Sequence, residues 1–254
     1  MAILFDDASS QYLEYAGAVR SAHALSMACW FNSDDTTNNQ SLISIGTNGG
    51  SARWALIAAG GIVSDPIRAQ SMNSAGSAGN AASGSGYLAN TWHHAGGVFS
   101  ASNSRIAYID GTAGSANTTS ITVSGVDRTT IGAAWATTLG NYMSGVIAEA
   151  AVWNVALTSA DMASLARGFC PWLVRPESIV AYWPLIGRTD PSISKHGGFG
   201  MTWNNAPVAS PHPRIIWPKR QAFSPDYAVA ATVYPELMTS LTPPHRQPIV
   251  AVPY

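Results

Sequence analysis

An all-β fold, two antiparallel sheets packed face to face, is what this 254-residue sequence predicts. Three observations carry the expectation. Short runs rich in β-branched and aromatic residues recur almost throughout, separated by Gly, Asn and Ser clusters, a regularity that suits a sandwich rather than βαβ units. Many of those runs are apolar at consecutive positions, as strands must be when a second layer covers them. Residues 91–111, TWHHAGGVFSASNSRIAYIDG, read as two strands joined by a polar loop and closed by an Asp110-Gly111 turn.

In chain order, strands are expected at 2–5, 11–15, 25–31, 41–45, 53–58, 67–72, 92–99, 105–109, 129–131, 145–153 and 178–184. One helix is expected after Thr158. Threonine is a good N-cap, Asp161 falls at the third helical position, and Met162, Leu165 and Ala166 form an apolar stripe that Gly168 ends. Its expected place is one end of the sandwich, as a plug. Residues 74–86, SAGSAGNAASGSG, are so poor in side chains that an exposed flexible loop, or one pressed close by neighbouring copies, is expected there.

The composition changes at about residue 209. The last 46 residues hold nine of the chain's 15 prolines, which remove ladder donors and favour extended backbone. The same segment carries Ile215, Ile216, Trp217, Phe223, Tyr227 and Tyr234, anchors that a disordered linker would lack. Two parts are therefore expected: a sandwich over 1–208 and an extended Pro-rich arm over 209–254 whose anchors grip protein, its own body or a neighbour's.

Charged residues make up only 11% of the chain, against roughly 25% in an ordinary domain. A surface so low in charge and in lysine (Lys195 and Lys219 alone) resists contact between copies weakly, which favours assembly. The net charge of −1 comes without any basic block, so the footprint of a nucleic-acid binder is missing. No run approaches the roughly 20 apolar residues of a membrane helix, and the N-terminal MAILFDDASS does not read as a secretory signal. Cys29 and Cys170 are read as two buried free thiols.

The sequence carries no recognisable catalytic pattern. Glycosidases need two carboxylates flanking the sugar bond, and no two acids here occupy alternate positions along a strand. His93 and His94 are strand neighbours and point to opposite sides, so they cannot share a metal. No enzyme activity and no cofactor are expected. Calcium is weighed for the loop 33–40, SDDTTNNQ, through Asp34, Asp35, Asn38 and Asn39, but a polar turn explains these residues as well. Glycan binding would need an exposed aromatic platform with amide partners. Trp54, Trp135 and Trp203 fall near loops, and Trp135 beside Asn141 and Tyr142 is the best candidate.

The tryptophan-histidine strand at 92–94, the Tyr108-x-Asp110-Gly111 hairpin and Gly145-x-Ile147-x-Glu149 followed by Trp153-Asn154 occur in the order seen in laminin-G-like (concanavalin A-like) domains. The sequence resembles that jelly-roll family over roughly 1–190, although the family's N-terminal acidic pair is altered to Ala8-Ser9-Ser10-Gln11 here. In the family the position of Glu149 is structural. Residues 168–187 and 210–218 are similar to a subgroup from tailed bacteriophages, which implies a virion component without catalytic activity. The expectation that follows is a capsid decoration or cement protein, assembled in the host cytoplasm onto the capsid surface. It would bind its own copies, as a trimer first, and the major capsid protein, and would anchor through its C-terminal arm. A carbohydrate-binding attachment module, or a tail or head fibre component, is the alternative; in either case surface glycans are a further expected partner.

Overall fold

A computed structural model describes residues 2–186 and 197–217. The first half of the chain forms β1 (Ala2–Phe5), β2 (Tyr12–Tyr15), β3 (Leu25–Ser33), β4 (Asn39–Gly46), β5 (Arg53–Ala59), β6 (Pro66–Met72), β7 (Ala78–Gly86), β8 (His93–Ala101) and β9 (Ser104–Ile109). There follow β10 (Thr112–Ala113), β11 (Arg128–Ile131), β12 (Ala134–Trp135), β13 (Leu139–Gly140), β14 (Gly145–Trp153), β15 (Ile179–Trp183), β16 (Thr202–Asn204) and β17 (Val208–Ser210), with the helix α1 (Ser159–Ala166) between β14 and β15. Two antiparallel sheets form the expected jelly-roll sandwich. One runs β10-β9-β8-β3-β14-β1-β17, with β15 also paired to β14; the other runs β16-β2-β11-β4-β5-β6-β7.

The strand period of two explains the core. Ile43, Ile45, Trp54, Leu56, Ile67 and Ala69 of the second sheet face Met27, Cys29, Phe31, Phe99 and Ile147 of the first, all of them buried. Each large side chain withdrawn from water there contributes about 1.5–3 kcal/mol. Both cysteines are buried and free. Burial lifts the Cys29 thiol well above its ordinary range.

The helix corrects one expectation. Its capping box forms as anticipated, with Asp161 N–H bonded to the Thr158 side chain and Thr158 N–H to Asp161 Oδ2. It does not plug an end of the sandwich. Met162 and Leu165 instead pack on the outer side of the first sheet with Val98, Tyr108 and Trp153. Two glycines make room for it: a Cβ at Gly96 would lie 2.6 Å from Met162 Sδ, and one at Gly111 would lie 2.9 Å from the Ala163 Cα of the helix backbone.

Residues 74–86 supply the second correction. They are not a loop; most of them form β7, hydrogen-bonded to β6 through Gln70–Asn80 and Ser71–Gly79 pairs. Their small size has a packing cause. The fully buried Arg105 guanidinium occupies the space a side chain at Gly79 would need, and Ala82 O lies against Gly114 in the same way. Arg105 is held there by Asn117 Oδ1, Ser102 O and Thr119 O.

β14 is paired along its whole length with β3 on one side. On the other it pairs with β1 through Gly145–Ile147 and then with β15 from Ala150. The change of partner falls at a bulge at Glu149, whose φ is +55°. The opening of the predicted arm lies on this body: Val208–Ser210 pairs with β1, and Ile216 bridges to Phe169.

The turn after β9 takes left-handed backbone at both Asp110 (φ +48°) and Gly111 (φ +79°), as a two-residue hairpin requires. Asp110 Oδ1 accepts His94 N–H at 2.8 Å, and Oδ2 lies 2.7 Å from His93 Nδ1. Because His93 Nε2 accepts the Leu88 N–H, the neutral ring carries its proton on Nδ1 and donates it to Asp110. Burial alone would raise the Asp110 carboxyl, but these hydrogen bonds outweigh it and hold it below its ordinary value. A depressed carboxyl contributes stability above the unfolded value near 4, and that contribution is lost as pH falls through the folded value. Asp110→Asn should therefore cost about 1 kcal/mol at pH 7, allowing for the half-exposed side chain, because its amide would oppose the His93 N–H. Urea unfolding should show the gap between the two proteins closing towards pH 3; a gap unchanged with pH would refute the assignment.

Candidate functional site

The outer side of the first sheet is largely occupied by α1 and the 169–178 segment, and most side chains on the outer face of the second sheet are buried as well. By strand alternation that face carries Tyr12 and Glu14 of β2, Arg128 and Thr130 of β11, and Ser41 and Ser44 of β4. Arg53, Ala55 and Ile57 of β5, Arg68 and Gln70 of β6 and Asn80 of β7 complete it. A polar chain crosses it: Arg53 Nε donates to Gln70 Oε1 at 3.0 Å, and Gln70 Nε2 to Asn80 Oδ1 at 2.9 Å. Ala55, Ile57 and Ala59 form a small buried apolar floor between these groups.

Trp135 reaches the face from the β12–β13 hairpin. Its indole N–H donates to Glu14 Oε2 at 2.7 Å, and its carbonyl accepts from Arg53 Nη1 at 3.5 Å. Arg128 Nε lies 3.8 Å from the other Glu14 oxygen. Trp135 is thus half-buried and its one donor is occupied within the protein.

Asn141 and Tyr142 lie just beyond this hairpin and line an open cleft of about 440 Å³ together with Asp7, Asn38 and Asn39. Three turns meet there: the one after β1, the one between β3 and β4, and the approach to β14. Asn141 has φ +51°, a left-handed value that asparagine tolerates, and its carbonyl accepts the Ser41 N–H at 2.8 Å. Tyr142 stands beside Tyr12, ring centroids 6.2 Å apart and tilted by 50°. Burial, Glu14 and Tyr142 together raise the Tyr12 phenol above its ordinary value, so it remains a neutral donor.

The residues named from sequence separate here. Asn141 and Tyr142 share the cleft, while Trp135 sits on the adjoining face. Trp54 is fully buried between the sheets and can stack on nothing external; Trp203 packs half-buried against the same core. Asn38 and Asn39 line the cleft, but Asp35 Oδ1 accepts from both the backbone and hydroxyl of Thr37, and Oδ2 from Asn38 Nδ2. Burial would raise the Asp35 carboxyl; these bonds outweigh it and lower it, as in a self-capped turn. Among the described residues, no group of three or more His, Cys, Asp or Glu side chains is placed to hold a metal ion. Ile215 is half-buried, Ile216 and Trp217 are exposed beside Phe169, Trp172 and Leu173, and Phe223, Tyr227 and Tyr234 lie outside the described residues. Asp7 and Tyr12 were not singled out from sequence; alternation around Leu13 in Tyr12-Leu13-Glu14 is the signal that places Tyr12 outward.

Glu149 lies elsewhere, 1% exposed. The Tyr182 hydroxyl donates to its Oε2 at 2.6 Å, and His212 Nε2 stands 3.1 Å from its Oε1. Burial and the adjacent carboxylate hold the Tyr182 phenol in its neutral form. Among the described residues no helix is long and apolar enough to cross a membrane.

A family model described as the concanavalin A-like lectin/glucanases superfamily, of the laminin G type, matches residues 7–163. No curated protein matches. Among solved structures, a heptameric SAP-like pentraxin from Limulus polyphemus superposes with a TM-score of 0.52 at 14% identity, covering 65% of this chain and 81% of the pentraxin. A Bacteroides ovatus protein described as carbohydrate binding gives 0.53 at 20% identity, covering 82% of this chain and 61% of that one. The CBM40 of a Ruminococcus gnavus sialidase gives 0.52 at 10% identity, covering 65% and 97%. At these identities the likeness establishes the fold alone.

Since the Trp135 indole is the bond that fastens the hairpin over the face, Trp135→Phe should cost about 1–2 kcal/mol, the worth of a hydrogen bond to a charged acceptor at a partly exposed site. Amide exchange at Ala136, whose N–H bonds Thr138 O, should quicken locally. Unchanged exchange there would mean that backbone pairing alone holds the hairpin.

Proposed function

The chain belongs to the concanavalin A-like lectin/glucanases superfamily, and from that footing we propose that it is a non-catalytic saccharide-binding module whose site is the cleft at Asn141 and Tyr142. The observation that carries the reading is the lining itself. Asn38, Asn39 and Asn141 offer paired amide donors and acceptors, Asp7 a strong acceptor, and Tyr142 an aromatic face. Sugars present that combination in mirror form: hydroxyls that donate and accept, and an apolar face of ring C–H groups. Two of the fold neighbours are described as carbohydrate binding, which supports the same reading. Burial of Glu149 under Tyr182 and His212 supports the absence of catalysis, because a substrate cannot reach that carboxylate.

Tyr142→Ala should leave the fold intact and weaken saccharide binding about tenfold, the size of one lost stacking contact with its buried area. Glycan-array screening followed by titration calorimetry measures it. Binding that persists undiminished in the variant, or no binding to any glycan, overturns the proposal.

A second reading places this module on a virion, as a bacteriophage decoration or fibre protein that meets its own copies, as a trimer first, and the major capsid protein. It is favoured by the cluster Phe169, Trp172, Leu173, Ile216 and Trp217, each 36–47% exposed, at the point where the chain leads into the Pro-rich arm. The low charge of the whole sequence is in keeping with such packing. In this reading Leu173→Ser with Ile216→Ser converts an assembled full-length protein to monomers in sedimentation velocity. A wild-type protein that is monomeric at high concentration argues against it.

A further inference from the structure

We infer that copies of this chain join head to tail, the acidic, apolar-tipped end of one sandwich docking on the patch at Phe169, Leu173, Ile216 and Trp217 of the next. This rests on the assembly reading above and names the surface that the neighbour offers. Three turns meet at that end: residues 34–38 between β3 and β4, 60–65 between β5 and β6, and 87–92 between β7 and β8. They are tied together, since the Tyr87 N–H bonds Asp65 O at 3.0 Å and the Tyr87 hydroxyl donates to Asp35 O at 2.9 Å. On them stand Val63, 92% exposed, Leu88, 68% exposed, and Ile62. Apolar side chains scattered singly over a surface need no explanation; three carried by adjoining turns form a tip. The 60–65 turn is firmly set. Asp65 N–H bonds Ile62 O, Ser64 and Asp65 take left-handed backbone at φ +73° and +44°, and a side chain at Gly86 would run into the Ser64 carbonyl. A turn so held loses little freedom when it docks.

Charge selects the patch as its mate. Asp34, Asp35 and Asp65 belong to the three turns, which contain no lysine or arginine. Asp110 stands below Leu88, whose N–H bonds the His93 ring that Asp110 holds. Burial, and then Asp65 and Asp35, raise the Tyr87 phenol, so both carboxylates act on the same spot. At the patch the sign is reversed. Ile216 N–H bonds Gly168 O at 2.6 Å and Cys170 N–H bonds Ile216 O at 3.0 Å, a seam flanked by the exposed Arg167 and Arg214. Neither arginine has an ion-pair partner among the described residues. Arg175 is exposed nearby and shared with Asp161 at 3.2 Å, and Glu177 is the other acid there. An acidic apolar tip and an apolar patch rimmed by arginine thus agree in both respects, whereas two tips or two patches would set like charges face to face. Contact between unlike surfaces is heterologous, and where the rotation closes it makes a ring, the arrangement a trimer requires.

The test is sedimentation velocity on the full chain with two double variants. Val63→Ser with Leu88→Ser alters the tip, and Leu173→Ser with Ile216→Ser alters the patch; all four side chains are exposed, so the fold is spared. The wild type should assemble, and less tightly as salt is added. Each double variant alone should be monomeric, its dissociation constant raised about tenfold or more. Mixed in equal amounts, the two should form a 1:1 dimer and nothing larger, because only one intact tip and one intact patch remain to meet. Arg167→Glu with Arg214→Glu should also weaken assembly about tenfold, without touching an apolar side chain. A tip variant that assembles as the wild type does, beside a monomeric patch variant, would overturn this inference and leave the assembly reading with a different contact. So would a mixture that stays monomeric, or assembly indifferent to both salt and the arginine reversal. A wild type that is monomeric at high concentration removes both.

Discussion

The bulge at Glu149 is the constraint on which the rest of the molecule depends. β14 is the strand with the most partners, and at Glu149 its outer edge passes from β1 to β15. A left-handed backbone there reorients the strand, and the carboxylate it turns inward is received by Tyr182 of β15 and by His212 from the segment after β17. One buried acid thus links β15 and the segment after β17 to the centre of one sheet. A carboxylate so deep would be ruinous if unpartnered, since a buried charge without a counterpart costs several kcal/mol. Here the Tyr182 phenol donates to one oxygen, while the His212 imidazole stands 3.1 Å from the other without a hydrogen bond aligned to it.

From this follows the difference between the two faces. The chain leaving β14 crosses the outer side of the first sheet before it returns as β15, and α1 with the 169–178 segment fills that crossing. The β12–β13 hairpin, pinned at Glu14, lies over one side of the second sheet's outer face, and the cleft opens where three turns converge beside it. The proposed saccharide site is that cleft, built from turns beside the pinned hairpin.

Much of this was legible from residues. The capping box of α1, the Asp110-Gly111 turn and the strands with branched side chains are local signals, and local chemistry decides them. Asn141 and Tyr142 were legible as a pair because they are adjacent in sequence. Residues 74–86 were misread because Gly, Ala and Ser speak of freedom when taken alone. Their meaning comes from Arg105, some 20 residues on, which needs bare backbone opposite it. The helix was placed wrongly for the same reason: Gly96 is just a glycine until Met162 lies over it. The mate of Tyr142 in space, Tyr12, is far away in the chain.

By itself the sequence determined the class of fold, the strand and helix segments with strong propensity, and the absence of a basic footprint, because composition, period and capping act within a few residues. Only tertiary structure decided which glycines are strands and supports, which tryptophans are core, and which arginines meet a carboxylate. Those are properties of contact between distant segments. Burial and pairing across a sandwich are set when sheets close, and no window of neighbouring residues contains them.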